Sequence, residues 1–337
     1  MTKIFKQITF TVTVHLIVLF LAIFISGCFS PKESASESLE NNSGSEVPQE
    51  QRWGIYSLDL EDQNTSLIYS GPEEISFLHI NPEGNKFVFS KKINGVENDS
   101  YEVCTLNIDG TGFSRLTENN YWDVYPRWSP DGSMILFLSF RDQDLDIYIM
   151  DDRGHNIEIV YDSGSHDADI DWRDDKIVFT SQSYIWIINE DGTEPIRLTD
   201  PPRAGEWGDA VLPFGDYDPR LSHDGKKILF ERLVDDNTEH GNYDLFMINS
   251  DGTGLKQITG TGYTQGLAIW SKDDSKILYL VSAMGNEGIY DIFLISSNGA
   301  DNQNITPDYF PDNFLCHDPI FSIDDSKVFF IGEWWEE

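Results

Sequence analysis

Six aspartates stand at fixed distances before an apolar residue that closes a strand-like run. Asp123, Asp167 and Asp216 lie five positions before Trp128, Trp172 and Leu221, and Asp169, Asp218 and Asp318 lie three positions before Trp172, Leu221 and Phe321. Residues two apart in a strand share a face, so the two sets are expected to stand in rows on one surface. Carboxylates converging on one axis hold a hard cation such as Ca²⁺, raise one another's pKa or attract a basic partner. Aspartate before a strand also caps the backbone of a neighbouring turn, and the pattern by itself leaves these roles open. No cofactor is implied beyond such a Ca²⁺ ion.

Aromatic residues flank the same runs. Trp122, Trp207, Tyr309 and Phe310 fall in longer connecting segments, among acidic residues. Exposed, they suit a peptide, a protein or a sugar ring; buried, they pack the loops that carry them. Catalytic patterns are weaker. His79, His166 and His317 sit at different offsets and form no clear ligand set. The chain has no G-x-S-x-G nucleophile elbow, and its Asp-Gly stretches lack the twelve-residue ligand spacing of a calcium-binding hand. The expectation is a protein that binds and does not catalyse.

The elements that position these residues are repeated. "HINPEGNKFVF", "RWSPDGSMILF", "DWRDDKIVF", "RLSHDGKKILF", "IWSKDDSKILY" and "IFSIDDSKVFF" follow one another at steps of 44 to 51 residues. Each reads as strand, tight turn, strand. Interleaved segments such as "YEVCTLNIDGTGFSRLT" and "DLFMINSDGTGLKQIT" supply a second strand pair, with Asp-Gly turns expected to be of type I′. The unit is therefore four antiparallel strands in about fifty residues, and radial repetition of such sheets makes a β-propeller. The last copy stops after two strands, and the stretch beginning at Trp53 supplies a lone outer pair before the first copy. An all-β, six-bladed propeller over residues 53–335 is predicted, its ring closed by N-terminal outer strands pairing with C-terminal inner ones.

With strands lettered A to D from the axis outwards, the A–B and C–D turns share one end of the propeller. The longer B–C and D–A connections share the other. Loops on a rigid scaffold carry function, so the D–A face, with its acidic mouth, is expected to bind and the turn face to be quiet.

Upstream of the repeats, Lys3 and Lys6 precede the apolar run "ITFTVTVHLIVLFLAIFI", which ends at Ser26, Gly27 and Cys28. Residues 1–27 read as a signal peptide. "ISGC" resembles a bacterial lipobox, which implies cleavage before Cys28 and a lipid on its sulfur. A retained transmembrane anchor is the other possibility. Residues 28–52, rich in Ser, Glu, Asn and Pro, form a tether that buries too little apolar surface to fold. The domain is thus expected in the cell envelope, on the extracytoplasmic side of a membrane, and attached only through its lipid. The formal net charge of −35 argues against nucleic acid. Cys104 and Cys316 are expected to be two small buried thiols, and the protein a monomer.

"PRWSPDG" with "DIYIMD" and "DGTGFSRLT" resembles the TolB-type, WD-repeat-like propeller repeat. The resemblance covers almost all of the chain after the tether, and it extends to the propellers of prolyl oligopeptidases and oligogalacturonate lyases. It implies an envelope protein, or a peptide from one, as partner; recognition or cleavage of a polysaccharide is the alternative it raises. A tether stands where the TolB translocation protein carries an α/β domain, so the resemblance implies a TolB-like lipoprotein and not that protein itself.

Overall fold

The computed structural model describes residues 50–93, 100–141, 143–206, 213–235, 242–260, 262–282, 290–311 and 314–336. Cys28, the signal segment, nearly all of the tether and Trp207 lie outside them. The described residues form six four-stranded antiparallel sheets and no helix. The inner strands are Ile75–Ile80, Asp123–Trp128, Asp167–Arg173, Asp216–Leu221, Thr264–Trp270 and Leu315–Phe321, one for each of blades one to six.

Blade six is shared between the two ends of the chain. Its spatial order is Thr65–Gly71, Glu50–Asp59, Lys327–Glu336, Leu315–Phe321. Glu50–Asp59 pairs with Lys327–Glu336 without a break, from Glu50 opposite Glu336 to Asp59 opposite Lys327. The two half-blades therefore complete one another, and the ring has no open sheet edge at its seam.

The core lies between blades. The fourth position of each second strand is Phe89, Phe137, Phe179, Phe230, Tyr279 or Phe330, and none of these is more than 1% exposed. Burying each such ring stabilises the fold by about 1.5–3 kcal/mol. Trp128, only 3% exposed, packs against Val88 and Val103 of the preceding blade. Cys104 and Cys316 are buried free thiols.

The turns are local devices. In "RWSPDG", Ser129 Oγ donates to Asp131 (2.7 Å) and accepts from the Met134 N–H (2.9 Å), while Gly132 takes a φ of 74°. Ser222, Ser271 and Ser322 repeat the bond to Asp224, Asp273 and Asp324. The Asp-Gly turns differ from the type I′ expectation. Gly110, Gly192 and Gly252 have positive φ but their aspartates do not. Gly110 N–H donates to Asn107 O and Asn107 N–H to Thr111 O, which is the three-residue loop of a type I turn followed by a left-handed glycine. Asp109 then accepts from both the backbone and the hydroxyl of Thr111.

Candidate functional site

Every inner strand carries a bulge at the same place. Phe77, Tyr125, Asp169, Asp218, Leu267 and Asp318 all have φ between 45° and 59°, and the register of each inner strand with its neighbour slips there. A non-glycine residue in this conformation costs on the order of 1–3 kcal/mol, so the surroundings must hold it. Part of that hold is visible between blades. The Phe77 N–H donates to Asp318 Oδ2 (2.8 Å), the Tyr125 N–H to Ser90 Oγ (3.1 Å) and the Asp218 N–H to Asp169 Oδ2 (3.3 Å).

The bulge breaks the strand alternation on which the two rows of aspartates were aligned. The row five positions back is fully buried, with its carboxylates bonded inside their own blades. Asp123 accepts from Ser139 Oγ (2.5 Å), Asn119 (2.6 Å) and Arg141 (3.3 Å). Asp167 accepts from Ser163 Oγ (2.6 Å), and burial pushes its carboxyl up to about 6. Asp216 is held by both Nε and Nη2 of Arg232, at 2.5 and 2.7 Å. These three stitch strands together and do not form the open acidic mouth that simple alternation places there.

The row three positions back reaches the axis. Tyr125 of blade two donates its hydroxyl to Asp218 of blade four, and Arg220 Nη2 donates to both the phenol oxygen (2.6 Å) and Asp218 Oδ1 (2.7 Å). The Arg127 guanidinium lies 4.4 Å from the centre of the Tyr125 ring. Asp169, raised to about 6 by burial and then by the Asp218 charge, lies beside them. Glu231, from the second strand of blade four, is pushed well above the carboxylate range by burial, then by Asp218 and Asp169, and its Oε2 has no hydrogen-bond partner. Among the described residues no three acidic, cysteine or histidine side chains group as a metal site. Asp218 Oδ1 is bonded to Arg220 and Tyr125, and Asp169 and Asp318 accept backbone N–H groups.

One step nearer the turn face the lining mixes basic and acidic groups. His79, Arg127, Asp171 and Arg220 stand one position before Ile80, Trp128, Trp172 and Leu221, and with Arg173, His223 and Asp318 they border a neck of about 30 Å³. His79 is neutral: burial, then the charges of Arg127, Arg173 and Arg220, hold its pKa well below the imidazole range. Its Nδ1 accepts the Trp128 N–H at 3.0 Å. Beyond the neck the channel widens into a funnel of about 200 Å³, to which all six blades contribute. Its walls include Trp128, Trp172, Trp270 and Phe321, with Arg173, His223 and Lys272 among them. The funnel opens among the A–B turns, on the face expected to be quiet.

The remaining aromatic candidates do not gather. Trp122 is half-buried against Tyr101 and Phe140, with ring centres 6.5 and 6.2 Å away. Phe310 stacks on Phe314 at 4.1 Å inside the seam of blade six. Tyr309 is 60% exposed but reaches the outer edge of that blade, where its hydroxyl meets the Thr65 N–H at 3.0 Å. Arg127, Arg173 and Arg220 were missed in the sequence, although the same repeat register marks them, one position before or after the residue that closes the strand.

No family model matches the chain. An uncharacterized protein of Agrobacterium fabrum is 27% identical over 213 residues, covering 60% of this chain and 68% of its own. A TolB homolog of Chlorobium luteolum is 28% identical over 178 residues, covering 51% of this chain but only 37% of its own length. Among solved structures, a provisionally named TolB of Agrobacterium tumefaciens superposes with a TM-score of 0.64 at 14% identity, covering 84% of this chain and 99% of that one. The fold is a TolB-like six-bladed propeller.

Proposed function

We propose that this chain is a non-catalytic binding scaffold of the cell envelope, held by a lipid on Cys28, that takes an envelope protein or a peptide of one at the axial funnel. The observation that carries this reading is the funnel itself: six blades line one cavity of about 200 Å³, and four of them bring three indoles, a phenyl ring and the Arg173 guanidinium to it. Aromatic and arginine side chains are the types that anchor protein interfaces. The likeness to proteins named TolB supports an extracytoplasmic setting.

Crosslinking on intact cells tests it. A defined envelope protein should be trapped in stoichiometric amounts, and Cys28→Ala should release the chain or leave its precursor uncleaved. No captured protein, together with ultraviolet-absorbing products from a polyuronate, would replace this reading with a polysaccharide lyase.

A further inference from the structure

The outer edge of blade six differs from the rest. Its strand Thr65–Gly71 has seven residues, against two to four in Ser114–Arg115, Glu158–Tyr161, Ile196–Arg197, Lys256–Gln257 and Gln303–Asn304. Its sequence, TSLIYSG, carries no charge, and Leu67 is 50% exposed. A long, uncharged edge invites pairing with another chain unless something covers it.

The strand opens on a modification motif. Asn64-Thr65-Ser66 is one of four Asn-x-Ser/Thr stretches, the others headed by Asn41, Asn98 and Asn304. Such a stretch accepts a glycan where it is exposed in an exported protein. Asn41 and Asn98 lie outside the described residues. Asn304 is a strand residue opposite Phe293; its Oδ1 accepts the Thr306 N–H (2.8 Å), and Thr306 Oγ1 accepts the Ile292 N–H (2.7 Å). Asn64 instead precedes its strand. Gln63, with a φ of 60°, turns the chain just before it, and both Asn64 and Ser66 are exposed. Asp62 accepts the Asn64 N–H at 3.0 Å and also the Asn64 carboxamide. A glycosylated carboxamide keeps one N–H for that bond.

An exposed ring lies beside it. Tyr309, 60% exposed, is the most open of the large apolar side chains among the described residues. Its hydroxyl accepts the Thr65 N–H (3.0 Å) and lies 2.9 Å from Thr65 Oγ1 and 3.4 Å from Gln63 O. The side chain is thus fastened to the residues on both sides of Asn64 while most of it stays in solvent. An aromatic face so placed suits the apolar face of a sugar ring.

We infer that Asn64 is an N-glycosylation site, with Tyr309 beneath its first sugar and the glycan shielding the outer edge of blade six. The donor is a lipid-diphosphate-linked oligosaccharide, used by a membrane oligosaccharyltransferase. A bond forms between Asn64 Nδ2 and the anomeric carbon, and the bond from that carbon to the diphosphate oxygen breaks. The lipid diphosphate leaves with the electron pair, and the carboxamide loses one proton to water. The inference rests on the extracytoplasmic part of the reading above and not on the funnel.

Mass spectrometry of the full-length chain from its native membranes tests it. The tryptic peptide 53–86 holds Asn64-Thr65-Ser66 and no other such stretch. It should be heavier by an oligosaccharide. Asn64→Gln and Ser66→Ala should lose the heavier form, and Ser66→Thr should keep it. In size-exclusion chromatography Asn64→Gln should associate at concentrations where the glycosylated chain stays monomeric; a monomeric Asn64→Gln overturns the shielding role. In a second arm, the purified, unglycosylated full-length chain in detergent is incubated with membranes holding an oligosaccharyltransferase and its lipid-linked donor. Asn64 should be modified there and Asn304 should not. No modification of Asn64 in either arm, or modification of Asn304 in its place, overturns the site. An unmodified native chain that protease reaches on spheroplasts also overturns it and leaves the extracytoplasmic reading standing. Modification of the purified chain alone, with the native chain shielded from that protease, removes the extracytoplasmic reading and the glycan with it.

Discussion

The phenol of Tyr125 in blade two donates a hydrogen bond to the carboxylate of Asp218 in blade four, and Arg220 grips both atoms. The contact spans the axis and skips blade three. Both residues occupy the left-handed bulge of their strands, with φ of 59° and 54°. The bulge thus lets side chains from non-adjacent blades meet on the axis. Replacing Tyr125 by Phe removes one donor from a buried carboxylate, which should cost about 1–3 kcal/mol. Urea unfolding at neutral pH measures this; a midpoint equal to wild type would mean that the bond contributes nothing.

Acid should act on the axis in a direction opposite to the surface. The Asp169 carboxyl sits at about 6 in the folded protein, above its ordinary value of 3.8, so the folded state binds its proton more tightly than the unfolded chain does. Stability from this group is present at low pH and lost as pH rises from about 4 to about 6. Glu231 is shifted in the same sense. Asp273, held down to about 2 first by hydrogen bonding from Ser275, works the other way: its contribution is present above about 4 and is lost as pH falls towards 2. Asp169→Asn should therefore flatten the decline in stability between pH about 4 and 6, and Asp273→Asn should not. Thermal melts across that range decide it, and an unchanged slope in Asp169→Asn would contradict the assignment.

Asp216 and Arg232 form a bidentate pair with side chains 0% and 10% exposed. Removing one partner of a buried pair leaves the other charge uncompensated, at a cost of about 3–5 kcal/mol. Asp216→Ala should lose stability on that scale in equilibrium unfolding. A loss under about 1 kcal/mol would show that Arg232 finds water or another partner.

Burial pushes the Cys104 thiol up to about 12 and raises Cys316 further. Thiols so protonated and enclosed are poor nucleophiles. Iodoacetamide on the native protein should leave peptides containing Cys104 and Cys316 unlabelled, and urea should make both reactive. Native labelling of either would mean that its blade opens readily.

Blade number, closure and turn positions were legible because each depends on local signals repeated along the chain: an apolar run, a Ser-x-Asp turn, a Gly or Asp in the left-handed position. The six bulges were not. Phe77, Tyr125 and Leu267 have no preference for positive φ, so their conformation is imposed by the inner strands' convergence and by donors and acceptors on neighbouring blades. Missing the bulge joined Asp123 and Asp216 to Asp169 and Asp218 as one surface, although the first two are tied inside their blades by Arg141 and Arg232. Arg173 was hidden for a different reason. It follows Trp172, whereas Arg127 and Arg220 precede Trp128 and Leu221, so the register that marks those two passes over it.

The direct test of binding at the funnel is to ask which face touches the partner. A photo-crosslinking amino acid is placed at Lys272, on the funnel rim, or at Tyr121, 43% exposed in a D–A connection beside Arg141 at the other end. Irradiation of intact cells should attach the same envelope protein to the Lys272 position and not to Tyr121. Capture from Tyr121 with none from Lys272 would contradict the funnel and return the site to the opposite face.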